Sequence, residues 1–222
     1  MDYLQKIRLL YNLSDNKNFG IKNNVLVSVE NNLGIKLPKI LYDYYLQFGN
    51  NKKINKLLPP SEIKYSGDGE YLIFREWDDK FVVSAFHKND LNKENPKVFS
   101  KFYPDNLTIG WHMVSETMDS FLLSMAYEKG LTNGLEFSAG YYIYDGKIEI
   151  SIIETIKKNF IEIKGILYEN TQYFTDKDIG IIELTVDPNG YSSIIIGTNN
   201  EETFKNMLNK INVKWEWGTG IE

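Results

Sequence analysis

The sequence predicts an α+β fold, with N-terminal helices packed on a mostly antiparallel sheet and a C-terminal α+β extension. Three observations predict it. Apolar residues recur at helical spacing through the first fifty positions, and the period drops to two after Pro59-Pro60. Hairpin patterns and one amphipathic helix then fill the stretch after Leu131. The break divides the chain into two expected domains, residues 1–130 and residues 131–222, the second packed on the first.

Leu4, Ile7, Leu10 and Tyr11 form one stripe and predict the first helix. Beyond a polar loop, Leu26, Val29 and Leu33 repeat the pattern, and Gly34 falls where a left-handed residue ends a helix. Pro38 suits the first turn of a third helix, because its missing N–H leaves no bond unmade there. Leu41, Tyr44, Tyr45 and Phe48 are its buried face and Gly49 its end. EYLIFREW and KFVVSAFH read as paired strands joined through Asp78 and Asp79, with the GDG at 67–69 as the turn entering the first. KVFSKFY and TIGWHMV read as a further pair, parts of which Pro96 and Pro104 exclude from central sheet positions. Thr117 resembles an N-cap and Asp119 suits the first turn of the helix it opens. Met118, Phe121, Leu122 and Met125 share one face of that helix, and Gly130 closes it.

In the second part, GYYIYDGKIEI predicts a hairpin turning at Asp145-Gly146. IIELTVDPNGYSSIIIG predicts another, turning at Pro188-Asn189-Gly190. Asn199 with Glu202 resembles a capping box for a helix whose inner face is Phe204, Met207, Leu208 and Ile211. VKWEWG predicts a closing strand with Trp215 and Trp217 on one side.

Composition excludes several chemistries. The 222 residues include no cysteine and two histidines, His87 and His112. Disulfides, thiolate nucleophiles, iron–sulfur clusters and cysteine-bearing zinc sites are thereby excluded, as is a His-rich cage. No metal and no cofactor is expected. Apolar runs fall far short of the roughly 20 residues of a bilayer span, and MDYLQKIRLLYNLSD lacks a signal-peptide pattern. The expectation is a cytoplasmic protein with no membrane partner.

Charge is unevenly spread. Residues 1–60 hold nine Lys/Arg against four Asp/Glu, residues 61–130 eight against twelve, and residues 131–222 eight against fourteen. An acidic surface repels nucleic acid and attracts a basic protein. Arg8 and Arg75 are the only arginines among 25 cations, so the usual bidentate reader of phosphates and bases is scarce. Nucleic acid is not an expected partner.

Catalytic motifs are absent from the sequence: no G-x-S-x-G, no G-x-x-x-x-G-K-[ST] and no G-x-G-x-x-G occurs. The carboxylates that cluster are Glu76 with Asp78 and Asp79, and Asp176 with Asp178. Glu76 and Asp78, two apart on a strand, would share one face and could act as a hydrolytic pair in a cleft. A solvated acidic hairpin tip is the simpler reading. Most aromatic residues sit at core spacing, whereas Trp77 stands beside a turn among acids, a setting that suits an interface anchor.

Taken in order, these segments resemble the SUKH superfamily in its cell-wall-assembly-regulator-like branch. NNLGIKLPKILYDYYLQFGNN is similar to the family's L-G-x-x-L-P turn and aromatic-Gly-ended helix. IFREWDD, KFVVSAF and ENPKVF stand where the family has its F-x-E-N-Q strand, a Trp-bearing strand and an acidic D-P-P-V loop, and TMDSFLLSM resembles its late S-L-x-x-F-L helix. SIIIGTNNEETFKNMLNKINVKWEW resembles the ending of longer members. Glu76 is retained, while Trp77 and Asp78 replace the usual Asn and Gln, and Val83 and Ala85 occupy the strand where a Trp often stands.

The resemblance implies a non-catalytic α+β domain acting as an immunity protein, which binds and neutralises a cognate protein toxin of a polymorphic toxin system. The acidity of the chain suits a basic toxin, such as a nuclease. Glu76, Trp77, Asp78, Asp79 and Trp111 are the expected partner-binding residues. A regulatory scaffold or peptide-binding domain is the second reading, and a carboxylate-dependent hydrolase the third.

Overall fold

The computed structural model describes the chain apart from residues 1, 15–17, 55, 78–80, 103–109, 145, 169, 188–189 and 221–222, with backbone alone for 165–168. Two compact units are present, Asp15–Met125 and Met1–Ser14 with Ala126–Glu222. The division lies a few residues before the boundary near residue 130 that the sequence marks. Helix α1 (Tyr3–Leu10) goes with the second unit rather than with the helices that follow it.

In the first unit, α2 (Asn23–Leu33) ends at Gly34, whose φ of 66° is the left-handed geometry expected there. Pro38 stands as the cap of α3 (Lys39–Phe48), one position ahead of the first turn. The turn between these helices is pinned from below. The Glu30 carboxylate, only 5% exposed, accepts bonds from Lys36 Nζ at 2.7 Å and the Leu37 N–H at 2.9 Å. Helix α3 buries Leu41, Tyr44, Tyr45 and Phe48, and the Tyr45 hydroxyl donates to the Leu58 carbonyl at 2.6 Å.

Five antiparallel strands follow in sequential order: β1 (Lys64–Tyr65), β2 (Tyr71–Trp77), β3 (Val82–His87), β4 (Val98–Phe102) and β5 (His112–Ser115). The β1–β2 turn closes on Asp68, whose carboxylate accepts the Glu70 N–H, and on Gly69 at φ 72°. One face of this sheet is core. Phe74 lies 4.4 Å from Phe86 and 5.9 Å from Phe121 of α4 (Met118–Lys129). At the start of α4, burial alone would raise the Asp119 carboxyl. Hydrogen bonds from Thr117, Asn95 and the Ser120 N–H outweigh it and hold the group below its ordinary value.

The second unit is built on a six-stranded antiparallel sheet ordered β11-β6-β10-β9-β8-β7. Its strands are β6 (Phe137–Ile143), β7 (Ile161–Tyr168), β8 (Thr171–Asp176), β9 (Gly180–Val186), β10 (Ser192–Thr198) and β11 (Trp217–Gly218). Helices α5 (Ile150–Asn159) and α6 (Glu201–Ile211) supply Ile156, Phe204, Met207 and Ile211 to a core shared with Ala139, Phe174, Ile182, Leu184, Ile194 and Ile196. The β9–β10 pairing is the expected hairpin, although Pro188 and Asn189 lie outside the described residues.

Four local expectations are corrected here. GYYIYDGKIEI is not a hairpin: β6 pairs with β10 on one side and β11 on the other, which leaves no edge for a following strand. The chain instead enters α5, where Ile152, Ile153 and Ile156 fall at helical spacing and join Ile148, just ahead of the helix, in the core; Asp145 lies outside the described residues. Gly130 ends α4, whose last residue is Lys129, but it does not end the helical path. The chain continues through a π turn, Gly130–Gly134, in which the Leu135 N–H reaches the Gly130 carbonyl at 3.1 Å. Tyr11 explains the wider turn, since its hydroxyl donates to the Ala126 carbonyl at 2.8 Å and would meet a Cβ at Gly134 at 3.0 Å. The cap of α6 is Asn200 rather than Asn199, its side chain accepting the Thr203 N–H at 2.8 Å. Trp215 and Trp217 do not share a side, because the strand begins only at Trp217. Trp215 packs on the helical core and Trp217 on Tyr142.

Candidate functional site

The expected partner-binding residues cluster only in part. Glu76 pairs with Val83 and Trp77 with Val82, so these two neighbours on β2 point to opposite faces of the sheet. The Glu76 carboxylate is bound by Lys64 Nζ at 2.8 Å. One Trp77 ring face receives the Arg75 guanidinium at 5.2 Å, and Lys56 Nζ lies 5.7 Å from the ring centroid. Even so, Trp77 is 43% exposed, and Phe81 on the far side of the hairpin tip is 44% exposed. Asp78 and Asp79 lie outside the described residues. Trp111 stands apart from Trp77, stacked on Tyr71 with centroids 4.3 Å apart and planes 19° apart.

That stack closes the helix-free face of the five-stranded sheet. Tyr71 and Trp111, with Leu58, pack over Ile73, Val83 and Ala85, which are 6%, 3% and 0% exposed. Charges around it are paired: Lys88 with Glu70 at 2.6 Å and Lys97 with Glu116 at 2.8 Å. His87 packs edge-on against Tyr71 and His112 stacks on Phe102, so the two histidines serve separate aromatic contacts. Of the other carboxylate cluster, Asp176 accepts from Asn206 and Asp178 faces Lys6 at 3.8 Å. No group of three or more acidic or histidine side chains poised for a metal occurs among the described residues. None of the helices among them is long and apolar enough to cross a membrane. A shallow groove of about 420 Å³ between α2 and Pro60–Ile63 is lined by Asn24, Val25, Ser28 and Asn32 and by no ionisable side chain.

A second surface was not read from the sequence. On the face of the six-stranded sheet away from α6, Tyr127, Leu131 and Leu135 cover Tyr173 and Gly197, while Tyr142, Tyr191 and Trp217 form a row with centroids 6.1 Å and 6.5 Å apart, and Tyr144 joins it 6.0 Å from Tyr191. Gly140 makes this possible: a Cβ there would meet the Trp217 indole at 2.3 Å. Tyr144 is 66% exposed, Tyr191 42% and Trp217 38%. On the same face, Glu183 accepts from the Tyr173 hydroxyl at 2.8 Å. Burial holds its carboxyl above the ordinary value, a shift that Tyr173 opposes and Glu128 reinforces. The signal was present in sequence as Tyr142 near the end of β6, Tyr144 just past it and Tyr191 just before β10. It became legible only once β6 was known to lie beside β10.

The fold thus defines an α+β protein with exposed aromatic surfaces at a hairpin tip and on an open sheet face. Comparison with protein-family models, with curated proteins and with solved structures finds no match.

Proposed function

We propose that the chain is a non-catalytic immunity protein that binds and neutralises a cognate toxin of a polymorphic toxin system, as the resemblance to the SUKH superfamily implies. The observation that carries the reading is the hairpin tip, where Trp77 and Phe81 leave 43% and 44% of their surface open. Large, half-exposed aromatic side chains are the kind of anchor that dominates protein–protein interfaces. Asp78 and Asp79 stand between them in sequence and supply charge for a basic toxin such as a nuclease. Glu76 and Trp111 complete the contact set. Pairing of Glu76 with Lys64 ties up the carboxylate that a hydrolytic reading would need, which favours binding over turnover.

Co-expression with the toxin encoded beside this gene tests the proposal. Restored growth and co-purification of the two chains are expected, with association slowing as salt rises. Trp77→Ala should weaken the complex at least about tenfold. Neither rescue nor co-purification would overturn the reading.

A further inference from the structure

The open face of the second unit has three properties that together specify a ligand. First, Tyr144, Tyr191 and Trp217 are exposed around a half-buried Tyr142, and the rings are mutually tilted: Tyr142 and Tyr191 by 28°, Tyr142 and Trp217 by 29°, Tyr144 and Tyr191 by 58°. Second, the charge beside them is uncompensated. Glu183 is bonded only to the Tyr173 hydroxyl, and no cation among the described residues pairs with it. Glu128 adds charge of the same sign, and Glu183 acts electrostatically on the Tyr191 phenol. Third, the floor between the rings and Glu183 is small and polar. Ser193 pairs with Tyr142 and Thr185 across the strands and hydrogen-bonds Tyr191.

A flat apolar partner would satisfy the rings and bury the Glu183 charge unpaired, at a penalty of several kcal/mol in order of magnitude. A neutral sugar would hydrogen-bond the carboxylate but leave its charge uncompensated. An arginine side chain meets both demands, because its guanidinium stacks on aromatic faces and donates a fork of N–H groups to a carboxylate. Lysine supplies charge without the plane.

We propose that this face docks an arginine of a basic protein segment, with the guanidinium over Tyr142 and Tyr191 and its N–H groups shared with Glu183. The proposal concerns the second sheet alone and does not depend on the hairpin tip being a toxin contact.

The test is a calorimetric titration of the full chain at low salt with acetylated tetra-arginine amide, alongside tetra-lysine amide and chitohexaose. Saturable one-to-one binding of the arginine probe is expected, at least about tenfold tighter than the lysine probe. Glu183→Gln and the exposed-site variant Tyr191→Ala should each lose about tenfold or more, while Glu62→Gln, at an exposed glutamate of the first unit, binds as the parent does. Circular dichroism on each variant separates lost contact from lost fold, and Tyr191→Ala carries the test should Glu183→Gln unfold. Equal binding of both cationic probes by every variant would reduce the effect to bulk acidity and overturn the proposal. Binding of chitohexaose without the arginine probe would overturn it in favour of a glycan.

Discussion

Each sheet packs helices on one face, and the two differ on the other, which in the six-stranded sheet is only partly covered, by Tyr127, Leu131 and Leu135. On the five-stranded sheet, the Tyr71–Trp111 stack seals Ile73, Val83 and Ala85, and the neighbouring charges are met by Lys64, Lys88 and Lys97. On the six-stranded sheet, Tyr144, Tyr191 and Trp217 stay open and Glu183 has a hydroxyl but no cation among the described residues. The difference teaches that exposed aromatic residues alone do not mark a contact surface. What marks one is aromatic surface together with charge that the chain itself leaves unbalanced.

The comparison sharpens under substitution. Trp111→Ala should have the largest effect, about 2–3 kcal/mol of lost stability in a urea melt, because it uncovers three buried side chains. A loss below about 0.5 kcal/mol would mean that the first face is not sealed by this stack. Asn200→Ala should remove the cap of α6 and about 1 kcal/mol with it, measured the same way.

The pH response should differ in sign between the units. Asp119 has a depressed carboxyl, so its stabilisation is present above the ordinary carboxylate range and is lost as pH falls through the depressed value. Glu183 has a raised one, so the fold carries an ionised, partly buried charge once pH rises from the ordinary range through the raised value. Glu183→Gln should therefore stabilise the chain relative to the parent at neutral pH and lose that advantage near pH 4. An advantage that does not change with pH would break the contrast. Tyr144→Ala should have the smallest effect, within about 0.5 kcal/mol, since its ring is already two-thirds in solvent.

The helices and the first sheet were legible in the sequence because their signals are local. Leu26, Val29 and Leu33 with Gly34 specify a helix and its stop without reference to anything distant. Glu30 was not legible, since nothing in a lone glutamate shows that Lys36 and Leu37 will close around it. In the second unit, KIEI reads as strand because Ile148 and Ile150 alternate, although only Ile150 enters α5. The strands β7 and β8 were passed over although IEIKGILY alternates well. Trp215 and Trp217 were misplaced because alternation holds only inside a strand, and this strand is two residues long. The hairpin tip could be named from Trp77 and its acidic neighbours. The open tyrosine face could not, because it forms only when β10 lies between β6 and β9.

Hydrogen–deuterium exchange on the chain, alone and mixed with the toxin proposed as its partner, tests the proposed function most directly. Slowed exchange in the β2–β3 hairpin is the expected result. Exchange unchanged there on adding the toxin would contradict the reading.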